Sequence, residues 1–374
     1  MIIVITGGLQ IMKRKYKVGI VGGTGYVGQR FLTLLDNHPW FETTMIAASS
    51  RSAGKTYEET MQGRWKIDAI MPEAVKNIVV LSSEDLASFI DRVDFVFCAV
   101  DMEKSELIAL EESIAKMETP VVSNNSANRW TPDVPMIIPE INPEHSAIIE
   151  VQKQRLGTKS GFIAVKPNCS IQSYVPALTP LADYGIEKVL VSTYQAVSGA
   201  GKTLAEWPEI NANVIPYIGG EEEKSEKEPL RVWGKLNSDN TEIVLANKPL
   251  ISAQCYRVPV QDGHTASVAV KFAEKPTKEA ILKAWAEYLP YPQQKKFPTA
   301  PQPFLQYLED DNRPQPKLDA NFGKGMGVSI GRLREDNIFD YKFACLSHNT
   351  LRGAAGGAVL TAELLVDQGY INFK

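Results

Sequence analysis

Cys169 is the residue of this sequence best suited to covalent chemistry. It stands in Lys166-Pro167-Asn168-Cys169-Ser170, where a short apolar strand over 161–165 gives way to a helix-period stretch over 171–184. A thiol at a helix N-terminus has its thiolate stabilised by free backbone amides and the helix dipole. Position alone leaves a catalytic and a packing role both open. The other cysteines, Cys98, Cys255 and Cys345, lie in apolar, strand-like runs, where a free cysteine behaves as a small hydrophobe. A nucleophile also needs a partner for its proton. Of the four histidines, His264 is best placed, in the turn Gln261-Asp262-Gly263-His264-Thr265 between two strands. His38, His145 and His348 read as structural or solvated. Seven residues before His264 comes Arg257, near the middle of a strand, where a charge is costly unless it is paired or holds a ligand.

A second chemistry-bearing segment is Gly22-Gly23-Thr24-Gly25-Tyr26-Val27-Gly28, spaced GxxGxxG. Glycines let the backbone approach a pyrophosphate, and a helix N-terminus behind them offers N–H donors. The loop lies between a predicted strand (17–21) and a predicted helix (29–37), the context that distinguishes a dinucleotide cradle from a bland tight turn. After the next strand (41–48), an NAD site expects a carboxylate for the ribose hydroxyls. This chain has Ser49-Ser50-Arg51-Ser52 instead, hydroxyls around an arginine able to grip a 2′-phosphate. NADP is the expected cofactor; the competing reading is a solvated turn.

The elements that position these residues follow from apolar periodicity. Further strands are predicted over 78–81, 93–100 and 120–123, with a helix over 105–117. Strands alternating with helices indicate an α/β, Rossmann-type doubly wound sheet over 16–150. Beyond 150, strands over 188–195, 254–260 and 266–272 with few helices between them indicate an α+β domain with a mostly antiparallel sheet, ending near 350. Residues 221–228 read as a charged helix and 291–313, rich in proline, as a surface excursion. A helix within 351–370 is expected to return to the first domain, so that 351–374 completes it. Residues 1–15 read as an extension before the first true strand, with Met12 a candidate start; an extra edge strand over 1–6, turning at Gly7-Gly8, is the other reading.

Composition sets the outer bounds. The chain has 374 residues, enough for two or three domains. Forty basic against 44 acidic residues give a net charge of −4, which argues against nucleic acid as a partner. Four scattered cysteines without a CxxC pair make neither a disulfide framework nor a zinc site, so no metal is expected. Apolar runs are strand-sized, too short to span a bilayer. The expectation is a soluble, cytoplasmic protein.

Read in order, GGTGYVG, ASSRSAGK, SNNSANRW, KPNCS, STYQAVSGAG, GGEEEK, YRVPVQDGH and HNTLRGAAGG make the chain resemble an aspartate-β-semialdehyde dehydrogenase of the type found in archaea, fungi and some bacteria. The resemblance runs from Lys17 to the C-terminus. It implies that Cys169 is the nucleophile and His264 a general acid/base of neutral-range pKa, with Gln195 orienting the reacting group. Arg257 would hold the substrate α-carboxylate and Glu221 its α-ammonium, although a shift of one helix position would exchange Glu221 for Glu222 or Glu223. Arg129 and Lys224 would bind the phosphate, and Asn168 would help stabilise the oxyanion. Ser198, Gly199 and Asn349 would lie near the nicotinamide. The implied reaction is NADP-dependent interconversion of L-aspartyl-4-phosphate and L-aspartate 4-semialdehyde, in a homodimer or homotetramer.

Rival readings make different demands. A malonyl-CoA reductase on the same scaffold has no α-ammonium to bind, which would leave Glu221 without a purpose. N-acetyl-γ-glutamyl-phosphate reductase has an acylated, neutral amine and a different cysteine context. Glyceraldehyde-3-phosphate dehydrogenase expects an acid after the second strand. A silent NADP-binding subunit would have lost Cys169, His264 or Arg257, and all three are present.

Overall fold

The structure, a computed structural model, describes residues 3–6, 9–12 and 14–374. Strands β1 (Ile3–Thr6) and β2 (Leu9–Met12) pair antiparallel with each other and join neither of the two large sheets. The extension is thus a separate ribbon rather than an added edge strand; Gly7 and Gly8, the expected turn, lie outside the described residues.

The first large sheet has six parallel strands: β3 (Tyr16–Val21), β4 (Phe41–Ala48), β5 (Leu81–Ser82), β6 (Phe95–Cys98), β7 (Val121–Ser123) and β8 (Ile163–Val165), in the order β5-β4-β3-β6-β7-β8. Runs such as FVFC and IAV are buried at every position, as expected of strands covered on both faces. The strand expected over 78–81 shrinks to Leu81–Ser82, with Val79 making only an isolated bridge to Thr56. The strand read at 161–165 lies past the boundary expected at residue 150, yet it pairs with β7 and completes this sheet. Helix α1 (Tyr26–Leu35) begins three residues earlier than its apolar period suggests, directly on Gly25.

The second sheet contains β9 (Ile186–Gln195), β12 (Leu250–Arg257), β13 (His264–Phe272), β14 (Leu305–Leu308), β15 (Val328–Glu335) and β16 (Tyr341–Ser347), in the order β12-β9-β13-β16-β15-β14; a two-stranded ribbon of β10 (Lys235–Leu236) and β11 (Ile243–Val244) lies apart. Its three central pairings are antiparallel and both edge pairings are parallel. Burial alternates along β9 and β12, so one face carries the core and the other is open. Strand β14 comes from the proline-rich excursion, and Phe297 and Phe304 from that segment are buried. The segment is therefore an edge of the sheet and part of the core, not a surface loop.

The helix expected over 171–184 is not continuous. A turn at Ser170–Gln172 is followed by short helices at Val175–Leu178 and Thr179–Tyr184. Pro176 and Pro180 each stand in the first turn of a new piece, where the missing N–H costs nothing, whereas either would break an interior turn. Helix α2 (Glu221–Val232) lies along β12. The last helix, α3 (Gly356–Asp367), is buried along nearly its whole length and packs into the core of the first sheet, consistent with its apolar composition all round.

Just before α3, Arg352 makes a bidentate pair with Glu140: Nη1 donates to Oε1, and Nη2 to Oε2 at 2.8 Å. Both side chains are almost wholly buried (1% and 0% exposed), and the guanidinium lies 4.6 Å from the Phe304 ring. Removing one partner of such a pair strands the other charge. Glu140→Ala is expected to destabilise the fold by roughly 3–5 kcal/mol, read from denaturant midpoints.

Candidate active site

Two adjoining cavities occupy the seam between the sheets. The larger, about 740 Å³, is lined by Thr24, Gly25, Tyr26 and Val27, by Arg64 and Lys66, and by the strand ends at Ala99–Val100 and Asn124–Ser126. The loop around it is built on glycine for steric reasons. Gly22 has φ +91°, and a Cβ there would stand 2.3 Å from Ala99 O; one on Gly28 would stand 2.4 Å from Gly22 O. Gly25 caps α1 without a side chain, which leaves the first-turn amides to a ligand. The cavity at the carboxyl ends of β3, β6 and β7 fits a dinucleotide. Ser49, Ser50, Arg51 and Ser52 follow β4 but are not among the lining residues; Ser52 Oγ instead accepts from Arg64 Nη1 at 3.4 Å. Arg64 and Lys66 bring positive charge to the wall, from a polar stretch with no motif to mark it.

The smaller cavity, about 310 Å³, shares Val27, Asn124 and Ser126 with the larger. Around it converge Arg129, Asn168, Cys169, Gln195, Ser198, Gly199, Glu221, Lys224, Arg257 and Asn349, residues spread over more than two hundred positions of sequence. Cys169 Sγ lies 3.4 Å from His264 Nε2. His264 opens β13 and is fully buried, and the Ala196 amide donates to its Nδ1 at 3.1 Å. That bond assigns the neutral ring its proton on Nε2, facing the sulfur.

The electrostatics differ from the sequence expectation at both reacting groups. Burial, with the Arg257 guanidinium and the neighbouring His348 ring adding to it, holds His264 well below the ordinary histidine range, so the ring is a neutral donor rather than a neutral-range acid/base. Burial and the Glu221 carboxylate push the Cys169 thiol up. The helix N-terminus invoked to favour the thiolate is a three-residue 3₁₀ turn, too short for much dipole. Lys166, Arg129 and Arg257 oppose the upward push instead.

Glu221 is the carboxylate of α2 that faces the cavity. Its oxygens accept from Asn168 Nδ2 (2.9 Å), Gln195 Nε2 (3.2 Å) and Lys224 Nζ (2.9 Å). Glu222 turns away to accept from Cys255 N, and Glu223 is exposed. Arg257 ends β12, and its Nη1 donates to Ala196 O at 2.6 Å. Arg129 is held by Glu228 (Nη1 to Oε1, 3.0 Å) and by Lys166 O (Nε, 3.0 Å), leaving Nη2 for an anion. Asn349 bridges Ser198 Oγ (2.8 Å) and Gly263 N (2.8 Å), tying the last segment to the β9 and β13 loops. Neither Glu228 nor Lys166 was singled out by sequence; both owe their places to contacts distant in the chain.

A parallel nucleotide-type sheet, a mixed sheet, and a cysteine–histidine pair at their seam together describe a dehydrogenase of the semialdehyde class. The semialdehyde dehydrogenase NAD-binding domain matches residues 17–149, and the semialdehyde dehydrogenase dimerisation domain matches 178–352. The aspartate-semialdehyde dehydrogenase of Archaeoglobus fulgidus is 40% identical over 96% of this chain and 100% of its own, and that of Saccharomyces cerevisiae is 40% identical over 96% and 100%. The crystal structure of aspartate semialdehyde dehydrogenase with NADP from Candida albicans superposes with a TM-score of 0.85 at 38% identity, over 95% of this chain and 100% of that one. The chain belongs to the aspartate-semialdehyde dehydrogenase family.

Gly353 sits against the nucleophile: a Cβ there would stand 2.8 Å from Cys169 Cβ, backed by Cys169 Cα at 3.3 Å. Gly353→Ala must push the two segments apart, and overpacking of this kind costs about 1–3 kcal/mol. The variant is expected to melt lower and to show altered alkylation of Cys169, checked by calorimetry and peptide mass spectrometry.

Proposed function

We propose that this protein catalyses the NADP-dependent, reversible reductive dephosphorylation of L-aspartyl-4-phosphate to L-aspartate 4-semialdehyde, a step in making amino acids of the aspartate family. The observation that carries the reading is the Cys169–His264 contact inside a cavity whose walls hold Arg257, Glu221, Lys224 and Arg129. A zwitterionic amino acid bearing a phosphate needs two cationic subsites and one anionic one. Arg257 supplies a fork for the α-carboxylate, Glu221 an acceptor for the α-ammonium, and Lys224 with Arg129 a site for phosphate. The placing of the Glu221 carboxylate in the cavity wall argues against a CoA-thioester substrate such as malonyl-CoA, which has no ammonium to meet it.

The cofactor, held by Gly22, Thr24, Gly25, Tyr26, Val27 and Gly28 with Ser198, Gly199 and Asn349 toward the second cavity, supplies hydride chemistry at the acyl carbon. The chain does the rest. The thiolate of Cys169 attacks the β-carbonyl carbon, the charge gathered on the oxygen returns to expel phosphate, and the acyl group is held as a thioester. Nε2–H of His264 faces the reacting centre and donates to the oxygen as negative charge develops on it, with Asn168 a further donor. When the reduced adduct collapses, its oxygen re-forms the carbonyl as the Cys169 thiolate leaves, and the hydrogen bond from His264 Nε2–H weakens as the negative charge passes back to sulfur. Gln195, which reaches both Thr193 and Glu221, orients the substrate end of the site. For the 2′-phosphate of NADP we favour Ser49–Ser52 acting with Arg64.

We read 16–150 with 351–374 as the NADP-binding part and 151–350 as the catalytic and oligomerising part, with β8 transferred to the former. The open face of the second sheet supports a homodimer: Leu190, Tyr194 and Leu250 are exposed, and Tyr194 stacks with Tyr256 at 5.6 Å. A cytoplasmic setting is supported by four cysteines that are all free. No helix among the described residues is long and apolar enough to cross a membrane.

Purified protein given L-aspartate 4-semialdehyde and NADP⁺ is expected to form NADPH only when inorganic phosphate is present, and Cys169→Ala to abolish it. Turnover without phosphate, or undiminished in the variant, would remove the acyl-phosphate reading. Leu250→Asp should shift the protein to monomer in light scattering.

A further inference from the structure

We propose that Lys166 is a positioning residue for the nucleophile: its buried ammonium clamps the peptide bond ahead of Asn168 and provides the positive charge against which Cys169 ionises. The proposal rests on the reading of Cys169 as the reacting thiol.

Lys166 is 2% exposed and follows β8, three residues before Cys169. Its amide donates to Ser123 O at 3.0 Å, which fixes its backbone to the end of β7. Its Nζ donates to Pro167 O at 2.5 Å. The same peptide unit is held at its other end, where Asn168 N donates to Glu228 Oε2 at 2.6 Å. Glu228 pairs through Oε1 with Arg129, whose Nε returns to Lys166 O. A closed ring of bonds therefore surrounds the Pro167–Asn168 peptide, and Lys166 enters it twice, through its carbonyl and its ammonium. The lysine stem is given room by Gly357, where a Cβ would stand 3.1 Å from Lys166 Cδ.

An ammonium in that place is costly, because Glu228, the acid of the ring, is bonded to Arg129 and Asn168 N rather than to Nζ. The charged groups around Lys166 come from four directions: Arg129 from the loop after β7, Glu228 from α2, Arg352 from the turn before α3, and Cys169 from its own loop. Burial, with Arg129 adding to it, pulls Lys166 down to about 7. Among the cations acting on Cys169, Lys166 has the largest effect, ahead of Arg129 and Arg257. The short turn after Cys169 cannot replace it. Since the lysine is depressed, it is charged below about pH 7 and discharges as pH rises through that value, below the range in which the raised thiol ionises. The two ionisations oppose each other: losing the lysine proton makes the thiol harder to ionise.

Alkylation of Cys169 by iodoacetamide, followed by peptide mass spectrometry from roughly pH 6 to pH 9, reads thiolate formation without any substrate. The wild-type rate is expected to rise with a slope below unity, the mark of two coupled groups. Lys166→Met should give a single unit-slope ionisation displaced upward by about one pH unit, so about tenfold slower alkylation near neutrality. Lys166→Arg, which keeps a charge that does not titrate, should restore the rate and keep unit slope. Superimposable profiles for wild type and Lys166→Met would overturn the proposal. Should Lys166→Met fail to fold, a unit slope in the wild type alone would do the same. Absence of NADPH formation with an intact coupled alkylation profile would instead fault the substrate reading and leave this one standing.

Discussion

The structure depends on one carboxylate with both oxygens committed. Glu228 is 1% exposed and projects from a helix of the second sheet's layer. One oxygen takes Arg129, on the loop that follows the first sheet's β7; the other takes the amide of Asn168, next to Cys169. Through it the first sheet, the nucleophile and α2 are held at fixed separation. A carboxylate buried there without these donors would be left unpaired, and the donors without the carboxylate would be stranded. Glu221, seven residues earlier on the same helix, thereby points its own carboxylate at the cavity, because positions seven apart share a helix face. The pairing that locks α2 also aims the residue proposed to read the substrate amine.

Charge balance in the cavity follows from that locking. Arg257, Arg129, Lys224 and the neighbouring Lys166 stand against Glu221 and Glu228 around this cavity. The surplus is positive, which suits an acyl phosphate or its leaving group, and it offsets the burial that pushes the thiol up. Burial keeps His264 neutral, and the same surplus adds to it: an imidazolium would place a charge beside Arg257 and would force Nδ1–H against the Ala196 amide. A neutral donor serves the proposed chemistry well, since a proton on Nε2 is available to a developing oxyanion without the cost of forming a buried cation first.

Much of this was legible in the sequence, for local reasons. The second strand was read at its observed bounds because FETTMIAA is an apolar run closed by polar residues, and the glycine loop because its sterics are written in residue types. Cys169, His264 and Arg257 were legible because each is chemically out of place in its segment. The continuous helix over 171–184 was not real, because apolar periodicity does not register what Pro176 and Pro180 forbid. The short strand 163–165 was misallocated, since three residues carry no information about which sheet will pair with them. The 291–313 segment looked solvated by composition, yet Phe297 and Phe304 are core. Lys166 and Glu228 carry no local mark because their significance is created by Arg129, 37 and 99 positions away, and Arg64 stands in a polar stretch whose only distinction is the cavity it faces.

The cavity's tightness is a further consequence of residues that contribute nothing but absence. Gly199 comes so near that a Cβ would stand 2.9 Å from Arg257 Nη1 and 3.2 Å from His264 Nε2, and Gly353 presses on Cys169. The two glycines belong to different connections, one after β9 and one before α3. Their close approach requires both segments to be immobilised from outside the site. Arg352 does this for Gly353 through Glu140, and the Asn349 bridge between Ser198 and Gly263 does it for Gly199. The reacting pair is therefore placed by the meeting of two independently anchored loops rather than by either sheet alone. A polar bond that looks remote from the chemistry, such as Arg352 to Glu140, thus acts on the separation of sulfur and imidazole.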